Sequence, residues 1–265
     1  MNAARRWPKG RPRVRELIDF DLRLLRGMSA GLPLSERGLS DTIPLPPLFH
    51  PSERGGVSPP RLVGFDEVGR GSLAGPVTVA CVQFDLGEPS ARSVVEQLAT
   101  AIPRLDDSKR MTPKQREETS ARILALARWG VGHASAVEID RLGIVAACHR
   151  AARRAYQHLG ASADLALYDR GLSSASPTGE VDPPSIELTH GDTRSLHIAA
   201  ASVVAKVARD ALMIRLDARF PDYGLSRHKG YGTVAHRDTI RRCGPSLLHR
   251  RAFLTRVETT DCQSC

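Results

Sequence analysis

Residues 63–76, VGFDEVGRGSLAGP, constrain the chain more than any other stretch. A short apolar run ends on two adjacent carboxylates, Asp66 and Glu67, and passes at once into Gly69-Arg70-Gly71. Two acids at a strand end make a poor core, because ionised carboxylates resist burial. They make a good site for a divalent cation, and glycines beside them let backbone N–H groups approach a phosphate or sugar closely. Successive strand residues point to opposite faces, so both acids reach one site only where the strand ends or bulges; the glycines are expected to supply that break. An ordinary solvated Asp-Glu pair in a charged turn is the competing reading. The spacing Gly69-x-Gly71-x-x-x-Gly75 imitates a dinucleotide fingerprint, but that motif opens a helix. Here Pro76 leads into VTVACVQF, residues 77–84, a β-branched run. The nucleotide-cofactor reading fails on context.

The 265 residues suffice for one sizeable domain with a real core, or for one domain plus an appendage. A formal net charge of +9 favours a polyanionic partner, of which nucleic acid is the commonest. The charge is concentrated: between Arg194 and Arg256 stand thirteen Lys or Arg against four acids. No apolar run is long enough to span a bilayer and no signal-peptide pattern opens the chain, so no membrane partner is expected. Five irregularly spaced cysteines suit a reducing, cytoplasmic setting. Cys262-x-x-Cys265 resembles half a zinc site but lacks a second ligand pair nearby.

Residues 1–60 carry six Lys or Arg between Arg5 and Arg15 and six prolines between Pro44 and Pro60, with little periodicity apart from VRELIDFDLRLL at 14–25. They read as a disordered or loosely attached basic leader, with one short amphipathic turn or two. From Arg61 an α/β pattern begins. Leu62–Asp66 and Val77–Phe84 read as antiparallel strands around the glycine turn. Residues 91–101 read as a short helix. Thr112-Pro113-x-Gln115 starts another helix, running to about Arg128, and 131–137 reads as a strand. Ser135-x-x-Glu138 opens a helix that keeps its spacing to Gly160. Residues 164–169, DLALYD, repeat the first pattern of strand, acid and glycine, so Asp66 and Asp169 can meet at the ends of parallel strands. A Ser/Pro/Gly loop covers 172–185, and 186–189 reads as a last strand before His190-Gly191-Asp192. Residues 195–220 form the strongest helix, thinned by AAAS at 199–202 so that it can pack on the sheet. Ser202, Lys206 and Arg209 make a polar stripe on it, whose plain reading is a solvated face with a Lys206–Asp210 ion pair. Residues 258–265 read as a disordered tail.

Asp66, Glu67, Asp169 and Asp192 each end an element beside glycine. An all-oxygen cluster in a basic protein suits Mg²⁺ or Mn²⁺, and two such ions can hydrolyse a phosphodiester. Asp192 has a competing reading as a helix cap.

These residues also carry a family resemblance. From about Arg61 to Val257 the chain resembles ribonuclease HII, through GFDEVGRG at 64–71, LAGP at 73–76, Asp107-Ser-Lys109, Gly191-Asp192, IAAASVVAKVARD at 198–210, HKGYGT at 228–233 and His249-Arg-Arg251. The resemblance implies an RNase H-like fold, a mixed sheet flanked by helices with a C-terminal helical segment. It implies a monomer that hydrolyses the RNA strand of RNA–DNA hybrids and incises duplex DNA 5′ of single ribonucleotides by a two-metal mechanism. By motif, Asp66, Glu67, Asp169 and Asp192 match the metal ligands. Gly69, Arg70 and Gly71 match the segment that reads the ribose 2′-hydroxyl, and Tyr231 matches the residue that stacks on the junction sugar. Lys109, Ser202 and Lys206 match phosphate contacts. Arg70 favours the HII type over HIII, which typically has Thr there. Two positions depart from the pattern: Arg170 separates Asp169 from Gly171, and His190 replaces a Lys. A hybrid-specific nuclease and a non-catalytic duplex binder are the rival readings.

Overall fold

The computed structural model describes residues 13–29, 59–87, 92–106, 108–172, 183–255 and 257. Its strands are β1 (Leu62–Val68), β2 (Val77–Gln83), β3 (Arg128–Ala134), β4 (Leu165–Asp169) and β5 (Ser185–Leu188). They form one sheet in the order β3-β2-β1-β4-β5, antiparallel at β3-β2-β1 and parallel at β1-β4-β5. The helices are α1 (Arg13–Ser29), α2 (Arg92–Ala101), α3 (Pro113–Leu126), α4 (Ala136–Leu142), α5 (Ile144–Leu159), α6 (Leu196–Asp217), α7 (Leu225–His228) and α8 (Val234–Cys243). This is the mixed, helix-flanked α/β sheet expected from the sequence. None of these helices is long and apolar enough to cross a membrane.

Alternation along β1 divides the core. Leu62 packs in the cluster built with α1, α2, α3 and α6, whereas Val63 and Phe65 pack in the cluster built with α5. The run Ala199-Ala200-Ala201 is fully buried. Helix α6 lies so close to β1 that a Cβ on Gly64 would come within 2.4 Å of the His197 backbone. On the other face, a Cβ on Gly132 would stand 2.1 Å from the Ala151 carbonyl of α5. Small residues set both approach distances.

Local chemistry fixes the helix starts. Thr112 and Gln115 form the expected capping box, as do Ser135 and Glu138. The helix read as continuous from Ser135 to Gly160 is two, because Gly143 takes φ +77° and divides α4 from α5. β3 begins three residues earlier than the sequence reading, since Ala127 is already extended where α3 ends.

The larger correction concerns the leader. Residues 13–29 are neither disordered nor loosely attached but form a helix, with Val14, Leu17, Ile18, Leu22, Leu24 and Leu25 on one face buried in the core shared with α6. The amphipathic pattern was visible, and what it packs against was not. The remaining leader, residues 1–12 and 30–58, and the tail from 258 with its two cysteines lie outside the described residues.

Candidate active site

β1 pairs with β2 as far as Val68, yet with β4 only as far as Phe65, opposite Tyr168. The strand therefore does not break at Asp66 as expected. It continues regularly on one edge and loses its partner on the other, and Asp66 and Glu67 stand over that opening. Phe65 and Tyr168 stack at 4.5 Å and 15° just beneath, fixing the last paired rung. Asp169 ends β4 one residue further on.

Each acid is held from a different side. Asp66 is buried, accepts the Glu67 backbone N–H at 2.7 Å and is bonded by the Ser202 hydroxyl of α6. Asp169 Oδ1 accepts the Gly191 N–H at 2.7 Å, which ties β4 to the turn carrying Asp192. Asp192 is also buried. Burial, then the charges of Glu67 and Asp169, raise the Asp66 carboxyl well above the usual range. Burial pushes Glu67 up to about 7, with Asp169 adding to it and Arg70 opposing it. The Arg70 guanidinium stands 3.7 Å from Glu67 and donates to the Gly171 carbonyl. The inserted Arg170 is accommodated: its N–H extends the ladder to Leu188 and Gly171, at φ +95°, makes the turn. His190, the other departure, is exposed in the left-handed region at φ 54°.

The glycine loop is built around two fully buried arginines, Arg209 and Arg250. Arg250 donates to the carbonyls of Gly69, Arg70 and Gly75 at 2.7, 2.8 and 3.0 Å. Arg209 donates to Pro76 O, Lys229 O, Ser72 Oγ and Ala74 O at 2.9–3.3 Å. Gly69 takes φ +84°, and a Cβ there would stand 2.0 Å from Arg209 Nε. In a trans peptide the N–H points opposite the carbonyl. Because Gly69 O and Arg70 O point at Arg250, the Arg70 and Gly71 N–H groups point away from it. Nothing lies within 4 Å of a Cβ position at Gly71, which is exposed.

The HKGYGT loop lies against this turn, Leu73 and Ala74 N–H both donating to Gly230 O. Tyr231 is 38% exposed and its ring sits 5.6 Å from the Arg209 guanidinium. A directed relay supports it from below. Ser246 N–H donates to His249 Nδ1 at 2.9 Å, leaving His249 Nε2–H for His236 Nε2 at 3.1 Å, and His236 Nδ1–H for Tyr231 O at 3.0 Å. Burial first, and neighbouring histidines second, push His236 and His249 down to about 4, so both rings are neutral as this relay requires.

The polar stripe of α6 divides three ways. Arg209 is scaffold, Lys206 pairs with Asp210 at 2.8 Å, and Ser202 is buried, bonded to Asp66 and to Ser108 Oγ at 2.8 Å. Lys109 is exposed on the loop beside Ser108, and Asp107 lies outside the described residues. The sequence reading missed the scaffold roles of Arg209 and Arg250, and it missed Glu187, which accepts the Gly171 N–H at 2.7 Å. The one available signal was Arg209, a charge inside the otherwise largely apolar run at 198–210.

The residues fit a divalent cation. The donors are all carboxylate oxygens, Glu67 Oε2 is buried with no hydrogen-bond partner among the described residues, and mutual repulsion disfavours joint ionisation without a counter-charge. Among the described residues no group of three or more acidic, imidazole or thiol side chains stands close enough together to hold a metal ion as placed.

Comparison with known proteins agrees with this geometry. The ribonuclease HII family model matches residues 63–256. Ribonuclease HII of Syntrophotalea carbinolica is 45% identical over 194 residues, 73% of this chain and 85% of that protein. That of Paramagnetospirillum magneticum is 43% identical over 209 residues, 79% of this chain and 96% of that protein. The fold is similar to that of RNase HII in its complex with PCNA from Archaeoglobus fulgidus. There the TM-score is 0.55 at 23% identity, over 72% of this chain and 94% of that one. With a family match spanning the sheet, the acids, the glycine loop and the C-terminal loops, the chain belongs to the ribonuclease HII family.

Proposed function

We propose that this protein is an endoribonuclease acting as a monomer, hydrolysing the RNA strand of RNA–DNA hybrids and nicking duplex DNA 5′ of a lone ribonucleotide. The products are a 3′-hydroxyl and a 5′-phosphate. The observation that carries the reading is the placement of four carboxylates, two of them with raised proton affinity, beside an open glycine turn.

Asp66, Glu67, Asp169 and Asp192 are the residues that would hold Mn²⁺ or Mg²⁺, two ions during turnover. Bound there, the cations supply charge neutralisation and Lewis acidity at the scissile phosphate. The chain's own residues do the positioning. The Glu67 N–H and Ser202 orient Asp66, and the Gly191 N–H orients Asp169. The outward Arg70 and Gly71 N–H groups offer donors to a 2′-hydroxyl, and the open space at Gly71 admits the sugar edge. Tyr231 presents its ring across the loop for stacking on the neighbouring sugar. Lys109 and Lys206 offer cations to the phosphate backbone, and the basic C-terminal third draws the duplex in.

The test uses an end-labelled DNA duplex containing one ribonucleotide beside a full RNA–DNA hybrid, each with Mg²⁺, Mn²⁺ or EDTA. Metal-dependent nicking immediately 5′ of the lone ribonucleotide is expected. Cleavage of the hybrid only would remove junction recognition, and binding without cleavage would overturn the nuclease reading.

A further inference from the structure

Helix α1 lies outside the residues matched by the family model, yet it reaches the catalytic end of the sheet through one side chain. Asp21 is fully buried, and its Oδ2 accepts three hydrogen bonds from the start of α6. The donors are the Ser195 hydroxyl at 3.1 Å, the His197 backbone N–H at 3.2 Å and His197 Nδ1 at 2.6 Å. Ser195 is the N-cap of α6, accepting from Ile198 N–H, and its own N–H donates to Gly191 O at 2.9 Å. The turn closed by that bond carries Asp192. His197 is the residue whose backbone fills the hollow at Gly64, two positions before Asp66 on β1. One carboxylate thus grips a junction from which two acids of the site are hung.

Stability is a poor account of this arrangement. Asp21 Oδ1 and His197 Nε2 are buried without hydrogen-bond partners among the described residues, a cost that an apolar pair of similar volume would avoid. Val14, Leu17, Ile18, Leu24 and Leu25 already dock α1. Apolar packing, however, is non-directional and leaves the angle of a helix start loosely set. Three bonds to a single oxygen define it.

We propose that Asp21 is a positioning residue: through Ser195 and His197 it sets the start of α6 and so the placement of Asp192 and Asp66, making α1 part of the active-site architecture. The inference rests on the reading of those acids as cation-holding residues given above. Partners that orient ligands typically change metal affinity by about 10–100-fold when removed.

The experiment measures Mn²⁺ binding to the full-length protein by calorimetry without nucleic acid, and kcat and KM on the single-ribonucleotide duplex across a Mn²⁺ series. Asp21→Ala is expected to weaken Mn²⁺ binding about tenfold and to lower kcat at limiting Mn²⁺, leaving KM for the duplex within about twofold. Asp21→Asn keeps a carbonyl acceptor for the same donors and is expected to restore most of both. A folded Asp21→Ala protein with wild-type Mn²⁺ affinity and kcat would overturn the proposal. Should that variant fail to fold, Ser195→Ala removes one bond of the three and is expected to shift Mn²⁺ affinity in the same direction by about threefold; no shift overturns the proposal. Asp192→Asn separates the two levels. If it binds Mn²⁺ like wild type, the cation-holding reading fails; if it binds weakly while Asp21→Ala does not, only the positioning role fails.

Discussion

The carboxylate end of β1 and β4 and the arginine layer beneath the glycine loop are built on opposite terms. Arg209 and Arg250 have their guanidinium groups engaged by backbone carbonyls and one hydroxyl, deep in the protein. The acids, a few residues away, crowd one another: Asp66 and Glu67 keep protons to unusually high pH, and Glu67 Oε2 is buried without a hydrogen-bond partner among the described residues. Cations in a nucleic-acid enzyme invite assignment to phosphate. Here the two best-placed arginines are consumed by the scaffold, and it is the under-satisfied acids that have capacity left for a ligand. Saturation marks structure, and deficit marks the site.

The sharpest break of this contrast is Asp169→Asn. Turnover on a hybrid is expected to fall by about 10²–10³-fold or more with duplex affinity retained, while the thermal midpoint holds or rises because one repelling charge leaves the cluster. A loss of stability would mean that the acids are scaffold after all. Arg250→Met should do the reverse. It leaves three inward carbonyls without their donor and is expected to cost ~3 kcal/mol or more in urea unfolding, with activity lost only because the loop collapses.

The histidine relay gives a pH signature. His236 and His249 titrate near 4 in the folded protein against about 6.5 when unfolded. Their contribution to stability is therefore whole above about pH 6.5 and is lost as pH falls toward 4, since the unfolded chain binds protons first. Ring-proton NMR titration is expected to show both rings neutral until close to pH 4; a midpoint near 6.5 would refute the relay. The smallest effect on the fold belongs to Gly71→Ala, where a Cβ meets nothing. Its stability should change by less than about 0.5 kcal/mol, yet nicking at a lone ribonucleotide should fall, whereas Gly69→Ala should destabilise by collision with Arg209.

What was legible in the sequence is what local chemistry decides. Both capping boxes, the antiparallel β1–β2 pair and the meeting of Asp66 with Asp169 follow from residue type and short-range order. The fate of a helical face was not legible. Periodicity gave the angle of Ser202, Lys206 and Arg209 on α6 but not what covers each, and the three turned out to be a carboxylate partner, an ion pair and a buried strut. The amphipathic signal at 14–25 was present too, but its partner lies far along the chain, where no local rule reaches.

That distance has a consequence for how the protein is made. Asp21 and the His197 N–H it accepts are separated by 176 positions, so α1 can complete its bonds only after the long intervening segment has been made. Contacts of such sequence separation form late, because the entropy of closing the intervening chain must be met before they return anything. Until then α1 carries an apolar stripe and a lone carboxylate with nowhere to dock. Helix α1 is thus written well before it is read, and the carboxylate end of the sheet takes its final form only when α1 folds back onto α6.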